Sequence, residues 1–148
     1  FNVLKWVFEN KLKKPQMEES IARDTQRVDI TFQNRRENGF FKQLSEGYNI
    51  VCPNIFIECK NYSEDLTNTE VFQIRSRLNK IRGQFGIIVC RKIDNKNKLR
   101  DRLTDALLKG EYIIILEDSD INTLIDFKLN KKEEEIDDFI EEKFKQLI

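Results

Sequence analysis

The stretch IFIECKNYS, residues 55 to 63, begins with residues that favour the protein core and continues with charged residues that the core usually excludes. Its first three residues are β-branched or aromatic, and such residues favour a buried strand. Glu58 and Lys60 follow at once, although charged side chains are almost never fully buried unless they are paired. Residues two apart on a strand share a face, so Glu58 and Lys60 project together while Cys59 faces the other side. We therefore expect a core strand whose charged end has a compensating partner.

A second segment, RVDITF at residues 27 to 32, has the strict alternation of a half-buried strand. Asp29 lies on its polar face. If the two strands pair, Asp29 and Glu58 form a hard-oxygen site that suits Mg²⁺, with the Cys59 backbone carbonyl as a further ligand and Mn²⁺ as a substitute ion. A lysine beside such an ion orients or helps to deprotonate a water molecule and offsets charge on a phosphorane-like transition state. Lys60 is in position for that role.

The chain beyond residue 60 alternates helix and strand patterns. An apolar stripe predicts a helix from Thr67 to Arg82, and a continuous apolar run predicts a central strand at residues 84 to 91. A helix at 96 to 110 and a strand at 111 to 118 follow. This order predicts an α/β fold with a partly parallel, mixed sheet flanked by helices.

The two ends of the chain carry further helix patterns. Residues 2 to 13 predict an amphipathic helix that Pro15 closes. Residues 39 to 44 suit a short helix or a strand, and the sequence does not decide between them. A short helix precedes a highly charged one at residues 131 to 148, whose single apolar stripe favours a docked cover or a partner contact.

Domain organisation follows from what the chain lacks. It has no internal repeat, Gly/Ser linker or low-complexity segment, so 1–148 is expected to be one domain, with a core at about 1–129. The chain opens FNVLKW without methionine, which suggests a piece of a longer protein whose other domains are partners. There is no leader pattern and no apolar stretch of about 20 residues, so we expect a cytoplasmic protein without a membrane span. Three cysteines without a CxxC pair favour reduced, buried thiols.

The chain contains no histidine, and this excludes several enzyme classes. Serine–histidine and cysteine–histidine hydrolases, histidine-bound zinc sites and nucleases with a histidine base are all ruled out. If the chain is an enzyme, we therefore expect carboxylates, lysine and a metal ion to be its catalytic groups.

Charge is divided unevenly along the chain. Residues 1 to 110 contain 21 Lys and Arg against 14 Asp and Glu, whereas residues 111 to 148 contain 5 against 12. The basic body is what a phosphate-backbone binder needs, because displaced counterions supply much of its affinity. A solvated lysine-rich surface gives the same pattern, so charge alone leaves DNA binding open.

The order Asp29, then Glu58-Cys59-Lys60, then a helix and the apolar GQFGIIVCR resembles the restriction-endonuclease-like, or PD-(D/E)XK, nuclease superfamily. Within it, the strands RVDI and ECKNY and the glutamine-bearing helix are most similar to Mrr-like and type IV restriction endonucleases of antiviral defence. The resemblance spans roughly residues 1 to 120. It implies a three-layer restriction-endonuclease-like fold with an extra charged C-terminal helix, and a metal-dependent endonuclease that hydrolyses DNA phosphodiester bonds. Asp29 and Glu58 would bind Mg²⁺, and Lys60 would be the catalytic lysine.

The resemblance leaves several positions open. Val28 stands where the superfamily often has proline. Family members often add an acidic residue from the first helical region, and Glu18, Glu19 and Glu9 are all candidates; Gln73 on the following helix is a further site candidate. Two alternative functions remain open. One is a nucleic-acid-binding module on the same fold that no longer cleaves DNA, and the other is a protein-interaction module. The oligomeric state, including a homo-oligomer, also stays open.

Overall fold

A computed structural model of the chain describes residues 1–22, 25–35, 37–60 and 68–148, with side chains described at all of these except 19–22, 25–28 and 68–70. The elements along the chain are α1 (Asn2–Val7), β1 (Lys13–Ala22), β2 (Thr25–Gln33), α2 (Phe40–Glu46), β3 (Asn54–Lys60), α3 (Asn68–Arg75), β4 (Phe85–Val89), α4 (Lys96–Leu108), β5 (Tyr112–Leu116), α5 (Asp118–Leu129) and α6 (Glu133–Leu147).

The five strands form one mixed sheet in the order β1-β2-β3-β4-β5. β1, β2 and β3 pair antiparallel, and β3, β4 and β5 pair parallel. The parallel half arises because α3 and α4 carry the chain back across the sheet between successive strands. The predicted α/β class with a partly parallel sheet is confirmed.

Helices cover both faces of this sheet. On one face, α1, α2, α5 and α6 pack on a large core that contains Ile57 and most of the phenylalanines. On the other face, α3 and α4 pack on a smaller core around Phe56 and Ile88. The alternation of strand side chains assigns Phe56, and hence Glu58 and Lys60, to the α3 face.

The predicted first helix is wrong beyond Val7. α1 ends there, and a ten-residue strand, β1, starts at Lys13. Pro15 lies within β1, at an irregularity of the register between Lys13 and Gln16. A proline is tolerated there because β1 is the edge strand and a bulge needs no ladder hydrogen bond from it. Residues 8 to 11 form a turn instead, which leads the chain into β1 and its pairing with β2.

The helix predicted from Thr67 to Arg82 is too long. α3 ends at Arg75, and residues 79 to 83 form a tight turn with an antiparallel bridge between Asn79 and Gly83. Leu78 is buried, but Ile81, which the helical stripe assigned to the core, is 87% exposed. Gly83 has φ +143°, a conformation that few other residues adopt. Thr67 itself lies outside the described residues.

The open assignment at residues 39 to 44 resolves as a helix, α2. The charged final helix is α6, and its apolar stripe is fully buried at Ile136, Ile140 and Phe144. Phe144 packs against the rings of Phe40, Tyr48, Phe85 and Tyr112. α6 is therefore a docked part of the core.

Candidate active site

Asp29 and Glu58 are directly opposite each other on the paired strands β2 and β3. Side chains that face each other across antiparallel strands have Cβ atoms about 5 Å apart. Both residues are buried, with 7% of Asp29 and 0% of Glu58 exposed to solvent. The two carboxylates thus share one face of the sheet, on interior strands rather than on an edge strand.

Lys60 lies two residues beyond Glu58 on the same face, and 4% of it is exposed. Its Nζ is 3.6 Å from Oε1 of Glu58. It also donates a hydrogen bond of 2.9 Å to the side-chain Oε1 of Gln73. The lysine is therefore held between a carboxylate and an amide, and this interaction gives a compensating partner to the charged end of the strand.

α3 supplies Gln73 because its buried residues Val71 and Ile74 anchor the helix over β3 and β4. A second α3-side residue, Arg77, approaches the same face. It donates to Thr31 Oγ1 at 2.9 Å, and its guanidinium carbon lies 4.8 Å from the centre of the Phe56 ring. Thr31 and Phe56 are paired two residues along the strands from Asp29 and Glu58, on the same face. The carboxylate pair therefore lies between Lys60 on one side and Arg77 on the other.

In the sequence, Arg77 is one of several cations within the helix predicted from Thr67 to Arg82. Its contact with Thr31 depends on where α3 ends, and the helical pattern misplaced that end. The alternation of RVDITF, which puts Thr31 on the face of Asp29, was the available signal.

The acidic candidates near the N terminus, Glu9, Glu18 and Glu19, differ in their position relative to Asp29 and Glu58. Glu18 lies on β1 opposite Asp29, so Glu18, Asp29 and Glu58 form one row across three strands, but the Glu18 side chain is exposed. Glu19 is next on β1, opposite Val28, and its side chain lies outside the described residues. Glu9 is 3.2 Å from Lys128 of α5, in the helical layer on the opposite face. The expectation that such a residue comes from a helical region is wrong for Glu18 and Glu19, because this segment is a strand.

Cys59 separates the two charged residues of β3 and faces the opposite core. Burial raises the pKa of its thiol to about 11, and the nearby negative charges of Asp29 and Glu58 act in the same direction. The thiol is therefore protonated at neutral pH and is a poor metal ligand there. The predicted metal ligand from Cys59 is its backbone carbonyl and not its thiol.

The donor set has the composition that Mg²⁺ uses. No group of three or more Asp, Glu, Cys or His side chains that could hold a metal ion occurs among the described residues. Mg²⁺ usually binds through one or two carboxylates and keeps several water molecules. Two opposed carboxylates with a neighbouring carbonyl fit that pattern.

Comparison with protein-family models, curated proteins and solved structures gave no match. Within the part of the chain that the structure describes, no helix has the length and apolar character needed to cross a membrane.

Proposed function

We propose that this chain is a divalent-metal-dependent DNA endonuclease domain with a restriction-endonuclease-like fold. The observation that carries the proposal is the pairing of Asp29 with Glu58 in register, both buried, with Lys60 beside Glu58 on the same face. Two carboxylates placed side by side repel each other and destabilise a sheet. A binding site for a cation is a physical reason to keep them together.

The roles of the residues follow from their placement. Asp29 and Glu58 would hold Mg²⁺ or Mn²⁺, with the carbonyl of Cys59 as a further ligand and Glu18 as an outer candidate. When bound, such an ion would supply Lewis-acid polarisation of a phosphodiester oxygen and would lower the pKa of a water ligand. Lys60 would orient that water and stabilise negative charge as the phosphorus–oxygen bond breaks. Gln73 would fix the Lys60 ammonium through the 2.9 Å hydrogen bond.

The proposal extends to the biological role of the domain. The resemblance to Mrr-like and type IV enzymes suggests the effector domain of a restriction or anti-phage protein in the cytoplasm, with other domains of a longer chain selecting the target. The basic body, with 21 cationic against 14 acidic residues up to residue 110, supports DNA as the substrate.

A second function is favoured by one observation. The Lys60 ammonium contacts both Glu58 and Gln73, and buried ion pairs of this kind also occur as purely structural features. On that reading the domain binds nucleic acid or a protein partner without cutting. Metal-dependent cleavage separates the two functions.

The test is the incubation of supercoiled plasmid with the protein and Mg²⁺ or Mn²⁺, with a chelator as the control. We expect nicked and linear products only when metal is present. Asp29→Asn and Glu58→Gln should lose cleavage, because each replaces an ionised ligand by a neutral amide of the same shape. The matched control is Asp138→Asn, at an exposed acidic position of α6. No cleavage by the parent with either metal, or equal cleavage by the two site variants, would exclude the proposed reaction.

A further inference from the structure

The turn at residues 79 to 83, NKIRG, is held by five hydrogen bonds. Asn79 and Gly83 exchange backbone hydrogen bonds of 2.9 Å in both directions. The Asn79 side chain accepts from the backbone N–H groups of Ile81 and Arg82 at 2.9 and 2.7 Å. The Asn54 amide donates to the Arg82 carbonyl at 2.8 Å. The backbone of the turn is therefore fixed before any partner arrives.

This fixed turn presents an apolar side chain between two cations. Ile81 is 87% exposed, the largest exposed fraction among the large hydrophobic residues described. Lys80 and Arg82 flank it and are exposed as well. Single exposed hydrophobic residues are common, but Ile81 stands at the tip of a turn whose backbone is held by side-chain hydrogen bonds.

Three exposed cations, Arg35, Lys80 and Arg82, lie at this end of the sheet. Arg35 follows Asn34, whose backbone donates to Pro53, so Arg35 lies at the same end of the sheet as the turn. Among the described residues, no ion pair involves Arg35, Lys80 or Arg82. Some other exposed cations are paired, since Lys92, Lys96 and Lys145 each lie within 4.0 Å of a carboxylate. In the sequence, residues 71 to 93 contain six Lys and Arg and no Asp or Glu, so positive charge is concentrated around the turn of a chain whose formal net charge is zero.

We propose that the 79–83 turn is a DNA-contacting element in which Lys80 and Arg82 bind backbone phosphates and Ile81 enters the minor groove against a base step. Apolar side chains of this kind act as wedges that partly unstack neighbouring base pairs, while flanking cations hold the phosphates. The rigidity of the turn lowers the entropic cost of such a contact.

The position of the turn agrees with the candidate active site. The turn touches β3 at Asn54, and Glu58 lies four residues further along the same strand. Four strand residues span about 13 Å, which is roughly four base pairs of a duplex. The separation along β3 is therefore within the length of a short duplex. This inference rests on the proposed function for the identity of the polymer, and the experiment below separates the two.

The experiment measures binding of the full chain to a short fluorescent DNA duplex in the presence of a chelator, at a series of NaCl concentrations. Lys80→Gln/Arg82→Gln should weaken binding and reduce the slope of log affinity against log salt by about 2, because two phosphate contacts are lost. Ile81→Ser should keep the slope of the parent but abolish the rise in fluorescence of a 2-aminopurine base placed in the duplex, since that rise reports unstacking. Each variant is compared with the parent at every salt concentration.

The matched controls carry the same substitutions elsewhere. Lys131→Gln/Lys132→Gln alters two exposed cations of the α5–α6 connection, and Leu108→Ser alters a residue that is 80% exposed at the end of α4. Both should behave as the parent does. An unchanged slope in the Lys80/Arg82 variant, or unstacking that survives in Ile81→Ser, would overturn the inference. So would turn variants that lose binding to phosphatidylserine vesicles but not to DNA, since the partner would then be a membrane surface.

The outcomes also distinguish the two proposals. A parent that cuts plasmid while the turn variants bind duplex normally would remove this inference and leave the proposed function intact. A parent that binds duplex through the turn but never cuts would remove the nuclease and leave the contact. Failure of the parent to bind duplex DNA in chelator would overturn this inference, whereas failure to cut plasmid with either metal would overturn the proposed function.

Discussion

At the scale of single residues, the central fact is a fully buried glutamate. Glu58 is 0% exposed, its neighbour across the sheet is Asp29, and Lys60 and Arg77 lie on either side of the pair. Leaving a buried charge without its partner typically costs about 3–5 kcal/mol. Lys60 therefore stabilises the fold as well as being the proposed catalytic group, and a variant that tests catalysis should retain a polar side chain there. Glutamine at position 60 is the suitable choice.

Cys52 gives a residue-scale prediction about pH. Burial raises the pKa of its thiol to about 11 from 9.0, against a smaller lowering by its hydrogen bond from Asn34. The thiol in the unfolded chain loses its proton at the lower pH, so the folded state is favoured below about pH 9 and this stability is lost as pH rises towards 11. We expect the free energy of unfolding, measured by urea denaturation, to fall over this interval.

The matching variant is Cys52→Ala. It should be less stable than the parent at pH 8, because a buried side chain is truncated, but its stability should fall less steeply between pH 9 and 11. Parallel pH profiles for the two proteins would contradict this assignment.

At the scale of elements, the strands that carry the site were predictable and the turn that follows them was not. RVDITF and NIFIECK are strands in the structure because their alternation and their β-branched residues agree with the tertiary pairing. The sequence also placed Asp29, Glu58 and Lys60 on polar faces that meet. The residues after Arg75 kept a helical spacing, but side-chain capping by Asn79 and the positive φ of Gly83 closed a turn instead. β1 was missed because its strand character depends on pairing with β2.

Gly83 gives the element-scale prediction. A Cβ atom at this position would lie 2.5 Å from the carbonyl oxygen of Asn54, and its φ of +143° is unfavourable for any other residue. Gly83→Ala should therefore lower the free energy of unfolding by roughly 1–3 kcal/mol, as measured by chemical denaturation.

Gly110→Ala is the control for this change. Gly110 also has a positive φ, +75°, but the nearest atom to an added Cβ is the end of the Gln84 side chain at 3.2 Å. It should cost less than Gly83→Ala, because a flexible side chain moves aside and a backbone carbonyl does not. An equal or larger loss at Gly110 would show that backbone strain alone decides the cost.

At the scale of the whole molecule, the acidic end of the chain is built into the structure. Asp137 of α6 forms an ion pair of 2.7 Å with the buried Lys11, and Glu133 forms one of 2.7 Å with the buried Lys128. Burial acts to raise the pKa of Glu133, but the hydrogen bonds from Lys128 and Asn10 and the charges of Lys128 and Lys11 together lower it. Deleting α6 would expose the aromatic cluster around Phe144 and unfold the domain, so charge substitution is the informative experiment.

The charge split predicts how α6 affects DNA binding. Glu134, Asp138 and Glu142 are exposed on α6. Their replacement by glutamine or asparagine should leave DNA affinity unchanged or raise it, because like-charge repulsion of the polymer is reduced and the basic body holds the substrate. Affinity is measured by fluorescence anisotropy at fixed salt. A marked loss of affinity in this triple variant, with unchanged thermal stability, would show that α6 itself holds the DNA.

The measurement that tests the central claim most directly is calorimetric titration of Mg²⁺ and Mn²⁺ into the parent, Asp29→Asn and Lys60→Gln, with plasmid cleavage assayed on the same samples. If Asp29 and Glu58 hold the ion and Lys60 acts on water and on the charge of the transition state, the two variants fail differently. Asp29→Asn should lose metal binding and cleavage together, whereas Lys60→Gln should bind metal at least as well as the parent and lose most of its cleavage. Metal binding by Asp29→Asn equal to that of the parent, or undiminished cleavage by Lys60→Gln, would contradict the account.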